Sequence, residues 1–137
     1  MAESRTLVGG TGTNSRSARE RAVAKGGVTP PRFETPDLSI RLTPQEEERE
    51  IRANERNGWG FSRATAASQL ERYFNGDART KVKVYSRFED ANFHGLNRAL
   101  ESGDPVKLRD WMNETYDDVK PSKKEKELYR RLGLNVR

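Results

Sequence analysis

The chain has 137 residues, of which 32% are apolar and 34% charged, with a formal net charge of +5. That balance lies between an ordinary globular protein and a disordered one, and it allows one small domain with a thin core. With no cysteine there is no disulfide, thiol nucleophile or thiolate metal site, and no stretch is long and apolar enough to serve as a signal peptide or a membrane span.

Charge divides the chain more usefully than its sum does. Residues 1–42 carry seven basic and four acidic side chains (+3), residues 43–119 twelve and fifteen (−3), and residues 120–137 seven and two (+5). Two basic ends around a mildly acidic middle suit an acidic partner, and they also serve solubility.

Residues 1–42 form no continuous apolar stripe and read as an extended arm ordered by a partner. Leu7-Val8-Gly9-Gly10-Thr11-Gly12 has the glycines of a phosphate loop but neither a preceding strand, a following helix nor a Gly-Lys-Ser/Thr ending, so it reads as a linker. Ser17 and Glu20 make a capping-box pattern for a short helix over about Ala18–Lys25, marginal in water by itself. Val28 to Pro36 holds three prolines and reads as a polyproline-like spacer. Leu38-Ser39-Ile40-Arg41-Leu42 then alternates apolar and polar, the period of a half-buried strand. The internal partner for that strand is Lys81-Val82-Lys83-Val84-Tyr85, giving a short β-ribbon of 38–42 with 81–85; otherwise the strand adds to the sheet edge of another protein.

From Thr43 onward the chain predicts a mainly α body, an irregular bundle of four to five short helices. Thr43-Pro44-Gln45-Glu46 opens the first with cap, proline and box residue, and Asn57-Gly58 ends it. Ser62 caps the next, which places Ala66, Ala67, Leu70, Tyr73 and Phe74 on one stripe before Asn75-Gly76. The Ser86/Glu89 pair predicts a third helix carrying Phe88, Ala91, Leu96, Ala99 and Leu100 to Gly103. Asp104-Pro105 opens a fourth with Leu108, Trp111, Met112 and Tyr116, and Ser122 with Glu125 opens a basic last helix ending at Gly133.

No residue set points to catalysis or to a cofactor. His94 is the only histidine and has no Ser, Cys or carboxylate partner at recognisable spacing. Asp110, Glu114, Asp117 and Asp118 share a helix face, but carboxylates strung along a rod read as a solvated face or a docking patch rather than a metal site.

Two functions from different classes follow. The first is a non-enzymatic structural or assembly subunit that docks its arm onto neighbouring proteins of a large complex through Phe33, Leu38, Ile40 and Leu42. A long arm on a small helical body is the general build of capsid-associated, connector and internal proteins of tailed-virus particles, although no motif is shared. The second is an accessory protein or regulator that grips the DNA or RNA backbone without reading sequence, through Arg16, Arg19, Arg21, Arg79, Lys81, Lys83, Lys123, Lys124, Arg130 and Arg131. Neither involves a membrane. A cytoplasmic protein, or one built into a particle assembled in the cytoplasm, is expected.

Overall fold

The computed structural model describes residues 31–136. Among them are six helices and no strand: α1 (Pro44–Arg56), α2 (Arg63–Asn75), α3 (Ala78–Asp90), α4 (His94–Ser102), α5 (Pro105–Thr115) and α6 (Lys123–Arg131). The expected helix near residues 18–25 and the glycine run at 9–12 lie outside the described residues.

The caps define the helix starts. Thr43 and Glu46 form the expected reciprocal box on α1, with the Glu46 N–H donating to Thr43 Oγ1 at 3.1 Å and the Thr43 N–H to Glu46 Oε1 at 2.8 Å. Ser62, Asp104 and Ser122 accept first-turn N–H groups of α2, α5 and α6 as their residue types require.

The middle of the chain differs from expectation. Residues 81–85 are helical, inside α3, and Asp77 caps that helix by accepting from the Thr80 N–H at 2.9 Å. The β-ribbon of 38–42 with 81–85 is therefore absent. The alternation at 81–85 arose because Lys81, Val82, Val84 and Phe88 are all buried in a helix enclosed by α1, α2 and α4. Lys81 falls on the same stripe as Val84 and Phe88 and interrupts it, so the two valines read as alternating rather than helical. Lys81 is buried because its ammonium donates to the carbonyls of Tyr73 and Gly76, both at 2.9 Å, closing the C-terminal end of α2 where the helix dipole favours a cation.

The helix expected from Ser86 to Gly103 is also two helices. Asn92 adopts φ 64, the Asn92 N–H donates to the Glu89 carbonyl at 3.1 Å, and the Phe93 N–H to the Phe88 carbonyl at 2.8 Å. This pair of bonds is a Schellman stop with asparagine in the left-handed position usually held by glycine, and it stacks Phe93 on Phe88. α1 and α6 end the same way, at Gly58 and Gly133.

The core gathers on α3. α1, α2 and α4 each pack against it, α5 packs on α4, and α6 on α2. Leu70, Tyr73, Val84, Phe88, Leu96, Leu100, Leu108 and Met112 are fully enclosed. At the α4–α5 crossing a methyl group on Gly95 would overlap the Trp111 indole, so that glycine sets the distance of approach.

Residues from Arg32 onward belong to one compact unit. Arg32 to Pro36 lie along the helices: Arg32 Nη1 donates to the Ser102 carbonyl at 3.0 Å, the Phe33 N–H to the Gly103 carbonyl at 2.9 Å, and Tyr73 Oη to the Glu34 carbonyl at 3.0 Å. Phe33 meets Phe74 edge-on at 5.0 Å, and Pro36 is buried. These residues satisfy carbonyls that α4 leaves open at its end.

Candidate interaction surfaces

The four residues expected to dock on a partner have different surroundings. Phe33 is part of the body's own packing. Leu38 is 47% exposed in a turn that Asp37 organises by accepting from the Ser39 N–H and hydroxyl, while Ile40 and Leu42 are half-buried. The turn at Leu38–Ser39 breaks the strand whose single face these apolar side chains were expected to share.

The cations likewise separate. Arg16, Arg19 and Arg21 lie outside the described residues. Arg79 chelates Glu46, with Nε 2.8 Å from Oε2 and Nη2 2.5 Å from Oε1, and Lys83 sits 3.1 Å from the same carboxylate. Hydrogen bonds from Arg79, then from the Thr43 N–H, hold the Glu46 carboxyl far below the usual carboxylate range. With Lys81 spent on carbonyls, all three of the α3 cations expected at a nucleic acid have internal partners. On α6, Lys123 and Lys124 are exposed, Lys124 lying 3.7 Å from Glu71; Arg130 pairs with Glu127 at 3.0 Å, and Arg131 donates to Asn75 Oδ1 at 2.7 Å.

Two buried ionic clusters, invisible to spacing rules, organise the rest. In the first, Arg63 at the start of α2 uses all five of its donors. Nε and Nη2 reach the Glu125 carboxylate at 2.8–3.1 Å, Nη1 reaches the carbonyls of Tyr116 and Val119 at 3.2 and 2.6 Å, and Nη2 also reaches Asn113 Oδ1 at 2.5 Å. Tyr129 donates to the same carboxylate. Glu125 accordingly faces inward rather than completing the reciprocal box with Ser122, whose Oγ still accepts the Glu125 N–H.

In the second cluster Glu50 of α1, 2% exposed, accepts from Arg72 of α2 at 3.1 and 3.2 Å and from Arg87 of α3 at 2.9 Å. Burial lowers the Arg87 pKa, and the like charges of Arg72 and Arg56 add to that effect against the pull of Glu50. Two arginines thus share one carboxylate, with Arg56 near enough to act on Arg87.

Above this cluster α1 and α2, which both rest on α3, leave a groove of about 460 Å³. It is lined by Ala53, Arg56 and Asn57 of α1 and its cap, by Ala64, Thr65, Ser68 and Gln69 of α2, and by Arg87 of α3. The turn leaving α1 presents Trp59, 45% exposed with φ 64, its N–H bonded to the Asn54 carbonyl at 2.9 Å. A left-handed bulky residue costs about 1–2 kcal/mol, a strain the helix stop offsets while holding the indole toward water.

Among the described residues no group of three or more His, Asp or Glu is placed to hold a metal ion, and no helix is long and apolar enough to cross a membrane. Compared with protein-family models, with curated proteins and with solved structures, the chain matches none.

Proposed function

We propose that this protein is a non-enzymatic assembly subunit of a large complex, of the kind that serves in virion particles of the tailed-phage type, and that residues upstream of Arg32 dock on neighbouring proteins. The observation that carries the reading is the anchorage of Arg32 to Pro36, where the body spends backbone and side-chain hydrogen bonds and an aromatic contact on fixing the base of a long polar segment. A segment rich in glycine, serine, threonine and arginine buries little by itself and gains order on a partner. Leu38, Trp59, Val106 and Val119, each more than a third exposed, supply apolar contact points on the body.

The test is co-purification of the native complex with tagged wild-type protein and with a variant in which Arg16, Arg19 and Arg21 become Ser and Leu7-Val8 become Ser-Ser. Loss of the complex with an unchanged melting curve is the expected result. Full incorporation of that variant refutes docking through the arm.

A second reading, an accessory protein that holds nucleic-acid backbone without reading sequence, draws support from the exposed Lys123 and Lys124 on α6.

A further inference from the structure

The groove between α1 and α2 combines groups that recur wherever proteins hold a phosphorylated nucleoside. Arg56 and Arg87 bring charge to its wall and floor, Thr65 and Ser68 bring hydroxyls, and Asn57 and Gln69 bring amides. Its volume, about 460 Å³, falls within the usual range of small-ligand sites. Arg72 and Arg87 share the carboxylate of Glu50, and Arg56 stands near enough to act on Arg87, so three guanidinium groups gather on this side of the fold. Solubility is served by cations spread on open surface; arginines gathered beside a polar cleft raise the local potential and favour an oxyanion. Trp59, two residues beyond Asn57, offers a partly exposed indole on a backbone that the turn fixes in place.

We propose that this groove binds the phosphate and base of a nucleotide unit, with Arg56 on the phosphate, Arg87 adding its field from beside Glu50, the amides and hydroxyls orienting the sugar and base, and Trp59 stacking on a base. The shared chemistry is a phosphorylated nucleoside, whether free or within a single strand. Lys123 and Lys124 on α6 take no part in it.

The experiment uses the full chain and titrates a fluorescein-labelled oligothymidine by anisotropy at low salt, with thymidine monophosphate as competitor and tryptophan emission as a second signal. Arg56→Gln, at an exposed position, is expected to weaken binding about tenfold and to reduce the salt slope by about one unit. Ser68→Glu, also exposed, places a negative charge in the groove and is expected to abolish binding. Trp59→Phe removes the quenching that accompanies binding. Displacement of the strand by the monophosphate assigns the site to free nucleotide; binding of the strand without such displacement assigns it to polynucleotide, and both support the groove. If Arg56→Gln and Ser68→Glu keep their helical circular dichroism and bind as the wild type does, or if the wild type binds neither probe at about 0.1 mM, the groove is not a nucleotide site.

Discussion

Removing the Glu125 carboxylate is the sharpest test of how the body is held together. In Glu125→Ala, Arg63 keeps its bonds to the Tyr116 and Val119 carbonyls and to Asn113, but its Nε–H and one Nη2–H lose their acceptors in a site where its side chain is only 3% exposed. Tyr129 loses its acceptor as well. Leaving a buried cation without its partner costs about 3–5 kcal/mol, and two charge-assisted hydrogen bonds at about 1.5–3 kcal/mol each give the same range. A unit of this size is stabilised by about 5–15 kcal/mol in total, so the loss removes at least about a fifth of it. In urea, with a slope of about 2 kcal/mol per molar, the midpoint read by circular dichroism should fall by about 2 M. Replacing both partners, as Arg63→Met/Glu125→Leu, leaves no unpaired charge and should recover much of the deficit. A fall of less than about 1 kcal/mol in Glu125→Ala, the range of an exposed pair, would refute the account of Arg63 as the fastening between α2, α6 and the loop before α6.

Phe33→Ala should lower stability by about 2–3 kcal/mol in the same denaturation assay, since Phe33 packs on Phe74; an unchanged midpoint would return residues 32–36 to the status of a loose arm. Gly95→Ala drives a methyl group into the Trp111 indole and should cost about 1–3 kcal/mol, with a shift in tryptophan emission as the ring is displaced. Burial pushes Tyr85 and Tyr116 up to about 12, and it raises Tyr73 and Tyr129 further. Their contribution to stability is complete below the ordinary phenol value of about 10 and is lost as pH rises through about 12, so phenolate absorbance should appear late and together with unfolding. Glu46 has the opposite sign: its lowered carboxyl pKa contributes above the ordinary glutamate range of about 4.3 and is lost as pH falls below it, so Glu46→Gln should flatten the acid limb of a stability–pH curve.

Where the local rules speak through neighbouring residues, the sequence is readable. Thr43-Pro44-Gln45-Glu46, Ser62, Asp104-Pro105 and Ser122 each announce a helix start that is present, and the stripe of Ala66, Ala67, Leu70 and Tyr73 is buried as its period implies. α3 was illegible because Lys81 is buried for the sake of two carbonyls on α2, which turns a buried helix into an apparent strand. The stop at Asn92 has a faint signature because asparagine at a left-handed position carries a weaker signal than glycine. Arg63 and Glu125 stand 62 residues apart, and the groove draws on three helices, so neither has a local signature. Arg79 and Lys83 looked available to a polyanion only because Glu46, more than thirty residues earlier, gives no sign in sequence of reaching them.

The attachment of residues 32–36 also fixes the path of mechanical load. A partner that pulls on the N-terminal segment transmits tension first to the Ser102 and Gly103 carbonyls, Tyr73 and Phe74, on α2 and at the end of α4, before any of it reaches α1. α1 follows this clamp in the chain and is shielded by it. Bonds that share a tangential pull must break together, whereas a helix peeled from its end gives way one turn at a time. A particle that stresses its subunits through their arms would therefore strain the core of this one, and its resistance would be set by the unfolding rate of that core rather than by the peeling of α1 from its end.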